Sequence, residues 1–93
     1  MFKTNSYFDG KVMSIAIDNA DGPATIGAMK AGEYEFGTST VEYMTVVSGN
    51  MEVMLPGETS WKTYKPFETF IVAKDVKFKV KITEEMAYIC HYK

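Results

Sequence analysis

The chain has no arginine; all ten of its basic residues are lysine. The planar fork that arginine offers to phosphate or carboxylate is therefore absent, and anions must be held by lysine, hydroxyls or backbone N–H groups. Cysteine and histidine occur once each, as Cys90 and His91. A lone cysteine excludes an intramolecular disulfide and suits a reducing compartment. One cysteine and one histidine cannot build the usual zinc site within a chain. No apolar run is long enough to span a bilayer, and Met1–Ser6 has no apolar signal core. The expectation is a soluble, cytoplasmic protein with no membrane contact. The formal net charge of −2 supplies no field that would gather nucleic acid.

What the chain does have is apolar and aromatic content in short pieces. At 93 residues with 46% hydrophobic and 14% aromatic side chains, it can bury one core and is too short for two. One domain over 1–93 is expected. Turn signals recur at Asp9-Gly10, Asp21-Gly22-Pro23, Ala31-Gly32, Ser48-Gly49-Asn50, Pro56-Gly57, Lys65-Pro66 and Lys74-Asp75. Short β-branched and aromatic segments lie between them, which predicts an all-β sandwich or barrel with little helix. In 76–82, Val76, Phe78, Val80 and Ile82 alternate with Lys77, Lys79 and Lys81, one face dry and one wet. Met13, Ile15 and Ile17 alternate with Val12, Ser14 and Ala16, and the bulkier set is expected to face inward. Met51, Val53 and Leu55 form another inward set.

The run from Gly32 to Gly57 is the most informative segment. It reads as three strands joined by tight turns, with Glu42 seven residues before the turn glycine Gly49. On a strand, Glu42 shares a face with Met44 and Val46. If those two face the interior, so does the acid. Burial then raises its proton affinity, which suits acid–base or cation-stabilising work. The alternative is a rim carboxylate bonded to a turn. The spacing resembles the first motif of the cupin barrels, in which two histidines precede the acid. Here Phe36 and Thr38 stand in those places, and they cannot replace two imidazoles on a transition metal. Tyr34 and Phe36 are either core residues or a platform for a planar ligand.

Adjacent Cys90 and His91 point to opposite faces of a strand, so they do not form a nucleophile–base pair. Cys90 shares its face with Tyr88 and Tyr92, and reads as a small core residue. His91 either meets a ligand phosphate or lies at the surface. The lysine stripe at 77, 79 and 81 reads as a solvated face that discourages edge pairing. Trp61 either covers a ligand mouth or enters a dimer contact.

Gly32-Glu33-Tyr34-x-Phe36-x-Thr38, Glu42-x-Met44-Thr45-Val46-x-Ser48-Gly49 and Leu55-Pro56, with Trp61 and Tyr64 following, closely resemble the small bacterial pyrimidine/purine nucleoside phosphorylases. Asn5-x-Tyr7-Phe8-x-Gly10-Lys11-Val12-x-Ser14-Ile15 and Tyr88-x-Cys90-x-Tyr92 fit the same pattern. The resemblance implies a cupin-like, RmlC-type jelly-roll barrel. It also implies phosphorolysis of purine and pyrimidine nucleosides to free base and pentose 1-phosphate. Inorganic phosphate is the co-substrate, with no cofactor and no metal. On this resemblance Glu42 and Thr38 become the candidate catalytic residues. Tyr34, Phe36 and Tyr88 are candidate substrate contacts, as are Glu33, Glu35, Lys74 and His91. A homodimer is expected, since small cupins often cover a sheet edge or barrel face with a second copy. The rival is a metal-free cupin that binds a small planar metabolite without turnover. The chain departs from the family pattern at Phe67 (a turn glycine), at Ala73-Lys74-Asp75-Val76 (Pro-Gly-x-Ser) and at His91 (an arginine).

Overall fold

The computed structural model describes residues 1–93 and has ten β-strands and no helix. They are β1 (Thr4–Tyr7), β2 (Val12–Asn19), β3 (Gly22–Met29), β4 (Gly32–Gly37) and β5 (Glu42–Ser48), followed by β6 (Met51–Met54), β7 (Lys62–Tyr64), β8 (Thr69–Val72), β9 (Lys77–Ile82) and β10 (Met86–Tyr92). A six-stranded sheet has the order β1-β2-β3-β10-β5-β8, and a four-stranded sheet the order β4-β9-β6-β7. Every pairing is antiparallel. Between the sheets lies one apolar cluster that includes Val46, Met51, Val53, Phe78 and Val80. The all-β expectation holds.

Alternation explains most of this packing. On β9, Phe78, Val80 and Ile82 are buried. Lys79 and Lys81 stand opposite Glu35 and Glu33 of β4, so the four-stranded sheet is laced with charge on its outer side. On β5, Met44 and Val46 are buried and Glu42 faces the same way. Strand β2 corrects the expectation. Val12 and Ser14 are the buried pair, whereas Met13 and Ile15 are 52% and 43% exposed. Side-chain bulk predicted the reverse. The inner face of β2 looks across β3 at the Tyr88 ring, which needs small neighbours. An ideal Cβ at Gly27 would meet the Tyr88 hydroxyl at 2.5 Å.

Two turns are near copies of each other. In Leu55-Pro56-Gly57-Glu58, the Glu58 N–H donates to Leu55 O at 3.0 Å, and the Leu55 N–H donates to Glu58 Oε1 at 3.0 Å. In Lys65-Pro66-Phe67-Glu68 the equivalent distances are 3.0 and 2.7 Å. Proline in the second place and a left-handed third residue are the requirements of a type II turn. Gly57 meets the second at φ 83°, and Phe67 meets it at φ 71°. A phenylalanine there carries a left-handed penalty of about 1–2 kcal/mol, which glycine escapes. The glycine expected at this position therefore has a physical basis, and Phe67 holds the same backbone under strain. Phe67→Gly should leave the fold intact and stabilise it by about 0.5–1 kcal/mol, the strain relief less the added entropy of the unfolded chain. Urea denaturation checks this; a loss of more than about 1 kcal/mol would show that the exposed ring makes contacts that outweigh the strain.

Candidate active site

Between the sheets, at the end where β5 begins, lies a cavity of about 550 Å³. Alternation along β5 and β10 builds its inner wall, because Glu42, Met44, Tyr88, Cys90 and Tyr92 all face inward. Strands β1 and β2 add Asn5, Tyr7 and Ser14, β3 adds Thr25, and β4 adds Glu35 and Phe36. The volume is within the range of small-molecule sites, and the lining combines apolar walls with a few convergent polar groups. No lysine and no histidine is among the lining residues. Nowhere in the chain do three His, Cys, Asp or Glu side chains gather as a ligand set for a metal ion.

One corner of the wall is aromatic. The Phe8 ring lies 5.0 Å from Tyr34 and 5.7 Å, edge-on, from Phe36, centroid to centroid. Phe36 in turn lies 5.8 Å from Phe78. Phe8 and Asp9 occupy the β1–β2 turn at φ 53° and 55°, a strained region for both residue types and more so for the bulky Phe8. That backbone brings the half-exposed Phe8 ring against Tyr34 and Phe36.

Glu42 is the only ionisable group on the inner wall with a protein hydrogen bond to its carboxylate. The Cys90 thiol donates to Glu42 Oε1 at 3.6 Å. Burial raises the Glu42 pKa above its ordinary value, and the thiol bond only partly opposes this. The same environment pushes the Cys90 thiol up to about 12, through burial first and the Glu42 charge second. Cys90 is thus a neutral donor, not a nucleophile. Burial also lifts the Tyr88 hydroxyl to about 12, and the neighbouring Ser14 opposes it. Tyr92 is raised by burial as well, and its hydroxyl lies 2.9 Å from Thr25 Oγ1.

The structure brings together only some of the residues singled out from sequence. Glu42, Phe36 and Tyr88 line the cavity, and Glu35 borders its rim from an exposed position opposite Lys79. Tyr34 is buried behind the aromatic corner, where its hydroxyl donates to Lys30 O at 2.6 Å; it supports Phe8 and Phe36 without lining the cavity. Thr38 is structural in this geometry. Its hydroxyl donates to Ala73 O at 2.7 Å and accepts from the Val76 N–H at 3.1 Å, tying the end of β4 to the β8–β9 turn. Glu33 faces outward opposite Lys81, and Lys74 is exposed in that turn; neither lines the cavity. His91 is on the other side of the sheet, in a shallow groove with Asp21, Tyr43, Thr45, Thr69 and Lys93. Trp61 lies beneath the Lys81 ammonium at 4.5 Å from its ring centroid and lines no part of the cavity.

Sequence reasoning did not single out Asn5, Ser14, Thr25 or Tyr92 as site residues. Ser14 and Thr25 carry a usable signal: a small polar residue on an otherwise apolar inward stripe. Reading the inward face of β2 from bulk rather than from its polar residue concealed it.

Two outcomes follow from this geometry. Because the folded state favours protonated Glu42, its ionisation opposes folding. The penalty is absent below the ordinary glutamate pKa and grows as pH rises through the raised value. Glu42→Gln should therefore leave Tm unchanged near pH 4 and raise it at pH 7–8; equal Tm values at both pH values would show a well-solvated carboxylate. Gly27→Ala should cost about 1–3 kcal/mol, the range for forcing atoms into a packed site, and should alter the near-ultraviolet circular dichroism as the Tyr88 ring moves.

The comparisons with known proteins agree with this architecture. The profile of the family described as pyrimidine/purine nucleoside phosphorylase matches residues 2–92. A Pseudomonas aeruginosa protein of that name is 53% identical over 93 residues, covering 100% of both chains. One from Pseudomonas putida is 52% identical and covers 100% of this chain and 99% of its own. Among solved structures, a Vibrio parahaemolyticus protein described as of unknown function superposes with a TM-score of 0.96 at 39% identity, over 100% of this chain and 99% of that one. An RmlC-like cupin from Shewanella frigidimarina superposes at 0.72 and 15% identity, over 96% of this chain and 80% of that one. The last likeness concerns the fold alone, and it bears out the cupin-like expectation. The chain belongs to the pyrimidine/purine nucleoside phosphorylase family.

Proposed function

We propose that the chain catalyses phosphorolysis of purine and pyrimidine nucleosides, with the Glu42 cavity as its active site. The observation that carries this reading is a desolvated carboxylate inside an aromatic-walled cavity, in a chain of this family. In phosphorolysis the C1′–N bond breaks and its electron pair leaves with the base. A phosphate oxygen forms the new bond to C1′, and the proton carried by phosphate ends on the base. Positive charge develops on the sugar along the way, as in glycoside hydrolysis. A carboxylate held in low dielectric opposes that charge more strongly than one in water. Ionised Glu42 is the group in position to do so. The rings of Phe8, Phe36 and Tyr88 offer π-faces that accept any base, which supports broad specificity. Phosphate finds no cation on the wall, so Asn5, Thr25 and the Gly37 backbone are the groups left to orient it.

That missing cation also favours one rival. Glu42 gives the cavity acidic character, which fits a neutral or cationic planar metabolite better than a phosphate dianion. Release of free base from a nucleoside panel, with and without inorganic phosphate, separates the two. The phosphorylase reading expects phosphate-dependent release of several bases and a loss of about 100–1000-fold in Glu42→Gln. It also expects activity to fall at acid pH along a limb set above the ordinary glutamate range, because the ionised form is required. Turnover unchanged in Glu42→Gln would remove Glu42 from the chemistry. Folded wild-type protein that binds nucleosides yet releases no base would favour the rival.

A further inference from the structure

Register decides which group reaches the Glu42 carboxylate. On β5, Glu42 stands between Val72 of β8 and Tyr92 of β10. Val72 is buried and has nothing to donate. Tyr92 is directly opposite, but its hydroxyl is engaged with Thr25 Oγ1 of β3 at 2.9 Å. Cys90 pairs with Met44, the next inward residue of β5, and so is the diagonal neighbour of Glu42 on the inner face. Its thiol reaches across that diagonal to Oε1 at 3.6 Å. The sulfur is held in place, because Cys90 is 1% exposed on a strand paired on both edges, to β3 and to β5. The other oxygen, Oε2, makes no hydrogen bond within the protein, and no buried polar side-chain atom of the chain lacks a partner. Oε2 is therefore not sealed in, and it is the oxygen that Glu42 offers to the cavity.

We infer that Cys90 is a positioning residue for Glu42: its thiol holds Oε1 and leaves Oε2 turned toward the substrate. The inference rests on the reading of Glu42 as the carboxylate that faces the sugar. The terminal torsion of a glutamate is broad, and a hydrogen bond to one oxygen fixes where the other points. A thiol suits this task. As a weak donor it orients the carboxylate while withdrawing less of its charge than a hydroxyl would, and that charge is what opposes the developing cation. It also brings little polarity into the core, since a free cysteine packs as a small hydrophobe. Burial and the Glu42 charge push the thiol up to about 12, so it keeps its proton wherever Glu42 changes charge. The other titratable groups around the cavity are Tyr7 on β1, Glu35 at the rim on β4, and Tyr88 and Tyr92 on β10. Burial raises both β10 phenols. Strands β2, β3 and β8 bring Ser14, Thr25 and Val72, which do not titrate. No cation counters Glu42 from any wall, and the thiol is the neighbour that lowers its pKa against burial.

Two titrations of the full chain test this. The first follows the Glu42 carboxyl by carbon-detected NMR in wild type, Cys90→Ala and Cys90→Ser, with Glu42→Gln assigning the signal. Loss of the donor in Cys90→Ala should move the Glu42 titration to higher pH, and the stronger hydroxyl donor in Cys90→Ser should move it to lower pH. The second is the pH profile of phosphate-dependent base release from uridine and inosine. Cys90→Ala should lower kcat about 10–100-fold with KM little changed, as a misplaced catalytic group does, and its acid limb should move upward with the NMR titration. Cys90→Ser should recover most of kcat. His91→Gln, next in the chain but on the outer side of the sheet, should leave the Glu42 titration unchanged. If Cys90→Ala fails to fold, Cys90→Val fills the site without a donor and carries the same expectation. A Glu42 titration that is the same in every Cys90 variant overturns the inference, and so does a kcat that loss of the thiol leaves unchanged. If wild type releases no base, the phosphorylase reading fails by itself, and the NMR titration still decides whether the thiol holds Glu42.

Discussion

A carboxylate facing inward from the first residue of β5 is the constraint on which the site depends. Glu42 lies on the same stripe as Met44 and Val46, with a weak thiol donor as its hydrogen-bond partner. A protein interior opposes such a group, because burial favours the neutral acid and costs stability when the acid ionises. The surrounding residues relieve that cost only in part. No lysine neutralises the carboxylate, and Cys90 remains a neutral thiol. What is retained is a group whose charge is strengthened by the same desolvation that makes it costly. On the proposed function, stability is given up at a position where the chemistry would gain from it.

Strand alternation carries this constraint to both sides of the six-stranded sheet. Along β10, Tyr88, Cys90 and Tyr92 face the cavity while Ile89 and His91 face outward. Along β2, Ser14 faces inward between exposed Met13 and Ile15. One strand thus serves the cavity, with its few polar groups, and an apolar outer face at once, and a register slip of one residue would exchange them. Gly27 sets the depth of the inner face, because only a residue without a Cβ lets the Tyr88 ring lie against β3. The four-stranded sheet serves fewer ends: its inner face closes the core and its outer face is charged.

Much of this was legible in the sequence, for identifiable reasons. The strict alternation at 76–82 and the Gly49 turn fixed strands that the structure contains, and the inward orientation of Glu42 followed from Met44 and Val46. The opposite orientations of Cys90 and His91 followed from strand geometry alone. Strand β2 was misread because both of its faces are apolar, so hydrophobicity could not say which one the core takes. Thr38, Lys74, Glu33 and His91 were drawn from a motif pattern, and a pattern along the chain does not report which side of a sheet a residue faces. Thr38 was additionally masked by its loop, where its hydroxyl bridges Ala73 O and the Val76 N–H. Asn5 and Thr25 reach the cavity from strands distant in sequence, a proximity that only topology creates.

The central claim is that nucleosides bind on the inner side of the six-stranded sheet, against Glu42. Backbone and side-chain chemical-shift mapping of the full chain during a nucleoside titration tests this most directly. The account predicts that the largest changes fall on Asn5, Tyr7, Phe36, Glu42 and Tyr88, with His91 and Lys93 little affected. Changes concentrated on the outer groove of Tyr43, Thr69, His91 and Lys93, with a silent cavity, would contradict it.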